Sequence, residues 1–579
     1  MTKKKKIHKA TQAEVPVEKT SVETGITKQH LLILLGLLVA VIIAYIPAFN
    51  KRFINYDDTE YITQNPWIAN FTFSSIPAIF SHFYAAQYSP IPSTIYGIIH
   101  LSVGYAPFFY NIFGIILHLV TIILVFKFTW SLCSNFRIAI VTAALFGVAT
   151  LQVESVAWLA AVYKTCTYSI FFLLSLIVYL KYIKTEKAKF YIASILLFII
   201  SCFCKEQAVS LPLAIIAVDI FSGRKLFSKK VILEKLPFFA IAIVFGLVTM
   251  AASGSGGSEE IGYTSFRFID RFIYIGYAVC TYIYKLFVPV KLSLYYPYFP
   301  LKNVRLVYMV FPLLMLIISG FYIWAIKRRN KFIVFGGLFF LINILFSLAV
   351  EIIAVRPTVM ADRYVYLASV GIFFMVAYAG DVLIEKKLAK LQTLTIIFVS
   401  FFVITGFLTF SRVKVWRNSL IMWNDVISKY QSIPLFYYNR GLSLVDKNRR
   451  DEALDDFKKV IELDARYYRA YNEIGIILTS NNKPDEALNY YNKTIALKPD
   501  FEIAYFNRGT LYGNLKEFDK AIKDYSQAIK LRGDYAKAYY NRGLAEYFAE
   551  DKEDACMDVK KAVELGFEAK EETISKICQ

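Results

Sequence analysis

Between Leu31 and Phe410 the chain alternates long apolar blocks with short charged loops. After Phe410 the pattern changes to amphipathic, charged stretches. A helix needs about 20 apolar residues to cross about 30 Å of hydrocarbon at 1.5 Å per residue. Blocks of that order predict helices over 31–48, 108–126, 138–156, 165–180, 190–204, 208–221, 236–252, 306–326, 332–353, 364–383 and 391–410, eleven candidate spans. Two further apolar stretches, 91–103 and 266–290, carry or adjoin ionisable residues and read as juxtamembrane or re-entrant helices. The pattern therefore divides the chain into a basic tail (1–30), an embedded helical bundle (31–411), a connecting helix (412–433), a repeat block (434–569) and a short tail (570–579). The bundle has an outer loop at 49–107 and an outer segment at 253–305. The expected fold is all-α, a polytopic bundle followed by an α-solenoid.

Charge orients this arrangement. The formal net charge is +20. With Lys3, Lys4, Lys5 and Lys6 placed in the cytoplasm, each loop then counted as inner is basic. These loops hold Lys127 with Arg137; Lys181, Lys184, Lys187 and Lys189; Arg224, Lys225, Lys229, Lys230 and Lys235; Lys327, Arg328, Arg329 and Lys331; and Lys386, Lys387 and Lys390. That bias is the positive-inside signal rather than a nucleic-acid footprint. No nucleic-acid partner is expected. An odd number of spans puts the repeats outside, so the expectation is a multi-pass plasma (inner) membrane protein, or an ER membrane protein in a eukaryote. The seven cysteines have neither zinc spacing nor a disulfide framework and read as small buried residues.

The second module is a repeat. Gly441, Gly475, Gly509 and Gly543 recur every 34 residues, as do Ala453, Ala487, Ala521 and Ala555. Phe457, Tyr491 and Tyr525 follow four residues after three of those alanines. Small residues let paired helices approach, with the aromatics filling the groove between repeats. A 34-residue period of this kind resembles the tetratricopeptide repeat. Four repeats fit 434–569, and such stacks present a concave face to an extended peptide or a protein. Asn439, Asn507, Arg508, Asn541 and Arg542 lie on first helices. They either line that face or only solvate it.

Candidate chemistry sits among ionisable residues at the edges of apolar blocks, where each costs about 2.5–3.5 kcal/mol on insertion. The counted topology brings Asp57, Asp58, Glu60, His82, Glu154, Lys164, Lys205, Glu206, Arg271, Lys285, Arg356, Asp362 and Arg363 to one outer side. Adjacent carboxylates at Asp57 and Asp58 suit general-base work, one taking a proton while the other holds geometry. They also suit a solvated turn or a helix cap. Lys205 with Glu206 and Asp362 with Arg363 read either as neutralised interfacial pairs or as cations that meet a phosphate. Lys164 and Lys285 have the same two readings. Glu154 is a helix-end carboxylate or a ligand for a cation. The Gly/Ser-rich run 253–258 lacks the strand and the Gly-Lys-Ser/Thr of a nucleotide loop.

The run 55–65 (NYDDTEYITQN) with Pro66 resembles the first outer loop of membrane-embedded C-type (GT-C) glycosyltransferases that end in tetratricopeptide repeats. In this the chain is similar to the transmembrane, repeat-containing protein O-mannosyltransferases and their bacterial counterparts. Further points of resemblance are Val153-Glu154-Ser155-Val156-Ala157-Trp158, Cys204-Lys205-Glu206-Gln207, Tyr284-Lys285 with Pro289, Tyr296-Pro297 and Ala361-Asp362-Arg363-Tyr364-Val365-Tyr366-Leu367, in that order. The resemblance implies transfer of a sugar, mannose among the candidates, from a polyprenyl-phosphate carrier to a protein or other acceptor on the outer face. It implies Asp57 or Asp58 as base, Lys205 and Arg363 on the lipid phosphate with Lys285 helping, and Glu154, Lys164, Glu206 and Asp362 in support. No cofactor is required; a divalent cation bridging the carboxylates is allowed, and no metal ligands are assigned. The chain departs from the pattern at Ala149 and Gln152, at Tyr163-Lys164-Thr165 and at Tyr88-Ser89-Pro90. Two other functions fit spans and repeats: a non-enzymatic membrane-anchored repeat scaffold, and a transporter of lipid-linked sugars. A transporter would be expected to show internally repeated or broken spans, and no repeat is visible among the apolar blocks.

Overall fold

Apolar blocks that satisfy their own backbone hydrogen bonds become helices, and helices dominate the computed structural model of the chain. It describes residues 27–255, 268–298, 305–353 and 358–579. Residues 1–26 of the basic tail, Arg356 and part of the Gly/Ser-rich run lie outside the described residues. Among those described, eight helices are long and apolar enough to cross a membrane. The number is nine if the bent pair Phe136–Val148 and Thr150–Ala157 counts as one span.

The count of eleven is corrected at two places. The blocks 190–204 and 208–221 fold as Ala188–Cys202 and Leu211–Phe221, of 15 and 11 residues. At 1.5 Å per residue they reach only about 22 and 16 Å. Lys205 and Glu206 interrupt the apolar run, the chain turns through a 3-10 segment at Glu206–Ser210, and Pro212 starts the next helix. Direction still reverses at each. Along Leu159–Thr185, Ser175 donates to the Ser194 carbonyl at 2.8 Å and Ser201 donates to the Tyr168 carbonyl at 2.9 Å, so Ala188–Cys202 runs antiparallel. Leu211–Phe221 then returns until Asp219 accepts from Tyr179 at 3.0 Å. There the buried Asp219 pairs with Lys235 at 2.5 Å, which closes the end of the bundle opposite the outer loops.

The expected straight helix over 138–156 is also corrected. Backbone at Ala149 is extended, and the axis turns by 53°. Thr409 donates to the Val148 carbonyl at 2.7 Å, which supplies a partner for a group freed by the break. The turn lays Glu154 toward the outer loops.

Close packing elsewhere depends on two glycines. Helices Lys331–Ile353 and Val365–Glu385 cross with Gly336 against Gly371. A β-carbon on Gly371 would lie 2.3 Å from the Gly336 carbonyl oxygen and 2.8 Å from the Phe340 amide nitrogen. Both are backbone atoms and cannot rotate away. Gly371→Val is expected to cost about 3 kcal/mol, the upper range for overpacking, read as a lowered midpoint of thermal unfolding.

The repeat block consists of four helical hairpins: Pro434–Val445 with Arg450–Leu463, Tyr468–Ser480 with Pro484–Leu497, Glu502–Asn514 with Phe518–Leu531, and Ala536–Phe548 with Lys552–Glu564. Each turns on a left-handed residue at the same 34-residue interval: Asn448, Asn482, Lys516 and Glu550. Three of the four periodic glycines, Gly441, Gly475 and Gly509, face an aromatic of their own hairpin, and Gly543 faces Ala555 and Val559. A β-carbon on Gly441 would meet Phe457 at 2.7 Å, and one on Gly475 would meet Tyr491 at 2.6 Å. The aromatics therefore fill space within a repeat, and Tyr525 also packs with Ala545 of the next. The tail is corrected too. Residues Glu571–Ile577 form a helix tied back by a Cys556–Cys578 disulfide, so two of the seven cysteines are paired. The other five are unpaired.

Candidate functional site

The first helix, Lys28–Tyr45, runs through a 3-10 turn at Ile46–Asn50 into the outer loop. There Asp57 and Asp58 precede a π turn, Thr59–Thr63, closed by the Gln64 amide on the Thr59 carbonyl at 2.8 Å. π turns are rare and are frequently found at functional sites. The two carboxylates have different surroundings. Asp58 is 1% exposed. Its Oδ2 accepts from the Ile54 amide at 3.0 Å and its Oδ1 from the Ala160 amide at 2.7 Å. Ala160 is in the first turn of Leu159–Thr185, whose leading amides have no partner within the helix. Asp58 therefore caps that helix across the bundle, and both its oxygens are committed. Burial raises its pKa to about 6, against the two amides and the Lys51 charge. Burial likewise lowers Lys51 to about 7.

Asp57 is partly exposed and, among the described residues, makes no hydrogen bond or ion pair. Burial holds its carboxyl above the usual carboxylate range, although Arg363 and Lys164 pull it down. Those two cations, with Lys205, Glu154, Glu206 and Glu60, lie close enough to feel one another's charge. Seven of the expected outer-side residues thus converge, from the first loop, the bent 150–157 helix, the start of Leu159–Thr185, the 205–206 break and the 362–364 turn.

Each cation already has contacts. The Arg363 guanidinium donates to Glu154 at 2.6 Å and lies over the rings of Trp158 and Tyr364, 5.3 and 4.9 Å from their centroids. Lys164 donates to Gln87 Oε1 at 2.5 Å and sits 3.4 Å from the Tyr61 ring centroid. Lys205 donates to Thr165 at 3.0 Å. Its burial lowers its pKa to about 8. Beside the cluster runs a crevice lined by Gln87, Tyr88, Glu206, Gln207, Ser253 and Tyr364, among others, with about 40 Å³ of free space. That space holds a water rather than a sugar.

Some expected residues lie elsewhere. Lys285 donates to the Lys291 carbonyl at 3.1 Å and to Tyr296 Oη at 3.0 Å, and Tyr296 donates to Asp362 at 2.8 Å. This buried chain, with Tyr282 bonded to both the amide and the carbonyl of Ala361, pins the segment that presents Arg363. Lys285 and Asp362 support that segment and do not reach Asp57. His82 is exposed and bonds only locally, to Ser81 and Ala78. Among the described residues no group of three or more His, Cys, Asp or Glu side chains is arranged to hold a metal ion.

Sequence reasoning missed Tyr61, Gln87 and Trp158 as contacts of the charged group, and Asn55 as a contact of the loop that carries Asp57. Their neutral side chains carry no charge pattern to flag them, although Asn55 and Tyr61 sit in the first-loop run and Trp158 ends the 153–158 element.

The expected groove residues are largely spent within the stack. Arg508 grips Asp524 through two hydrogen bonds of 2.7 and 2.8 Å and reaches back to Asn492 at 2.6 Å. Arg542 repeats this with Asp558 and Ser526, and Arg440 does so with Asp456 and Asn424. A single guanidinium thus ties its own hairpin to the helix before it, and the second repeat replaces the pair with Ile474 and Tyr490. Asn439 back-bonds to the Leu435 carbonyl and is buried, and Asn507 bonds to Asn472 at 3.0 Å. These bonds hold the stack together. Asn541 lines a cleft of about 550 Å³ shared with Thr510, Phe518, Tyr525 and Phe548.

The tetratricopeptide repeat family profiles match residues 435–467, 468–501 and 503–535. Among solved structures, a crystal structure of MamA protein is 25% identical over 27% of this chain and 84% of its own, with a TM-score of 0.24. YrrB, a TPR protein with an unusual peptide-binding site, is 24% identical over 26% of this chain and 76% of its own, with a TM-score of 0.23. The first TPR of Spaghetti (RPAP3), bound to the HSP90 peptide SRMEEVD, is 30% identical over 20% of this chain and 94% of its own, with a TM-score of 0.19. No curated protein matches the chain. The chain is an all-α protein that carries tetratricopeptide repeats in its C-terminal part, a module that binds peptides or protein partners.

Proposed function

We propose that the chain is an integral-membrane glycosyltransferase that moves a sugar from a polyprenyl-phosphate carrier to a protein or peptide acceptor. The observation that carries this reading is the asymmetry of the aspartate pair. Asp58 is fully committed to the fold, while Asp57 lies within electrostatic reach of Arg363 and Lys164 with neither oxygen bonded among the described residues. A carboxylate held above its ordinary range is a stronger base for an acceptor hydroxyl. Arg363 and Lys205 would supply the positive charge that meets a departing lipid phosphate. The bundle would lie in the membrane with the repeats outside. The Cys556–Cys578 disulfide supports that side, because such bonds persist in oxidising compartments.

The test is transfer from a radiolabelled polyprenyl-phosphate sugar to peptide by the purified full chain, followed across pH. For the free enzyme, kcat/KM is expected to fall on the acid side as Asp57 takes a proton, at a pH above the ordinary carboxylate range. It is expected to fall again above about pH 8, where Lys205 loses its charge. Lys205→Arg is expected to remove the alkaline limb. Absence of transfer with any lipid-linked sugar would leave the second reading, a membrane-anchored repeat scaffold. That reading draws on the narrow crevice and on cations that already have partners.

A further inference from the structure

The loop that presents Asp57 is held from behind by the connecting helix and the first repeat. Asn55, two residues earlier, makes two hydrogen bonds to the connecting helix and one to the first repeat. Its main-chain amide donates to Ser419 Oγ at 2.9 Å, its Nδ2 donates to the Asn439 carbonyl at 2.8 Å, and its Oδ1 accepts from Trp423 Nε1 at 3.0 Å. Ser419 and Trp423 lie on the connecting helix Ser419–Ile427, and Asn439 on the first helix of the first repeat. A fourth bond joins the Arg52 amide to the Arg417 carbonyl at 3.0 Å. Aromatic rings continue the contact. Phe436 of the first repeat stacks on Trp423, Trp423 meets the edge of Tyr56 at 5.6 Å, and Tyr56 stacks on Trp158 at 6.0 Å. Trp158 is the ring under Arg363. One row of rings thus runs from the solenoid to the cation opposite Asp57.

A recruiting arm would hang on an exposed, polar linker. Here the connection is a packed helix. Trp416 and Trp423 are each 1% exposed, and the first repeats share one continuous apolar core with the bundle. We propose that the repeat block is a built part of the site, and that Asn55 is the positioning residue through which it fixes Asp57. This rests on the reading of Asp57 as the base. Asn55 touches no reacting atom; it acts by holding the loop in a single conformation. Three bonds on one side chain and its amide over-determine that conformation, and loss of the side chain frees the loop on the face away from Asp58.

The test uses the full chain with Asn55→Ala and Trp423→Phe, the latter keeping a ring and deleting only the N–H. In Asn55→Ala, amide hydrogen exchange across residues 52–61 is expected to rise roughly tenfold, the scale of two lost hydrogen bonds. Transfer kcat is expected to fall at least tenfold, with donor KM within about twofold and the acid limb of the pH profile unmoved. In Trp423→Phe both effects are expected at about threefold. Unchanged exchange and unchanged kcat in either folded variant would overturn the proposal. If Asn55→Ala fails to fold, Trp423→Phe decides. Transfer that survives Asp57→Asn would overturn the base assignment, and the exchange measurement would then decide the joint by itself. Transfer abolished by Asp57→Asn but indifferent to both joint variants would keep the base and remove the positioning role.

Discussion

Asp57→Asn is expected to reduce transfer by roughly 10²- to 10⁴-fold while leaving the fold intact, the range for loss of a positioned general base. The side chain keeps its shape, makes no hydrogen bond or ion pair among the described residues, and is partly exposed, so its amide disturbs no packing partner. The loss is expected in kcat and kcat/KM together, because the proton moves only in the transition state. The measurement is steady-state transfer by the full chain, with thermal unfolding as the control. Wild-type turnover in a normally folded Asp57→Asn protein would end the base assignment.

Asp58→Ala is expected to do the reverse, with damage to the fold first. It removes the acceptor of two buried amides, Ile54 and Ala160, and the charge nearest Lys51. Removing one member of a buried charged arrangement costs about 3–5 kcal/mol, because the groups left behind are neither paired nor solvated. Much of a domain's net stability is of that size. The variant is expected to unfold well below the parent temperature or to accumulate poorly. The comparison with Asp57→Asn is direct, since the residues are neighbours of one type. Equal stability of the two variants would mean that the cap on Leu159–Thr185 does not hold the loop.

Much of the architecture was legible in the residues. The 34-residue interval of glycine and alanine marks the hairpins, because each hairpin needs small residues at the same two places to close. Apolar block length marks nine of the eleven expected helices as long enough to span, with the bent pair counted as one. It misleads at 190–204 and 208–221, where Lys205 and Glu206 sit inside an otherwise apolar stretch. Hydropathy counts residues without knowing that two charges and Pro212 turn the chain early. The same blindness hid the 53° bend at Ala149, which comes from backbone conformation rather than polarity. The Cys556–Cys578 pair was missed because spacing along the chain says little about which thiols the last helix brings together.

The candidate site was legible as an inventory but not as roles. Sequence analysis listed carboxylates and cations on one side of the bundle, and most of them meet. It could not separate Asp57 from Asp58, since the difference lies in which carboxylate reaches an amide a hundred residues further on. Nor could it tell that Lys285 is bound to Tyr296 while Lys205 joins the cluster, or that Arg508 and Arg542 clamp aspartates sixteen residues ahead. Local composition and periodicity determine helices and hairpin period, because these depend on neighbours in the chain. Which oxygen stays unbonded and which cation faces it were decided by tertiary structure alone, because a hydrogen bond is a matter of ångströms between segments that the sequence keeps far apart.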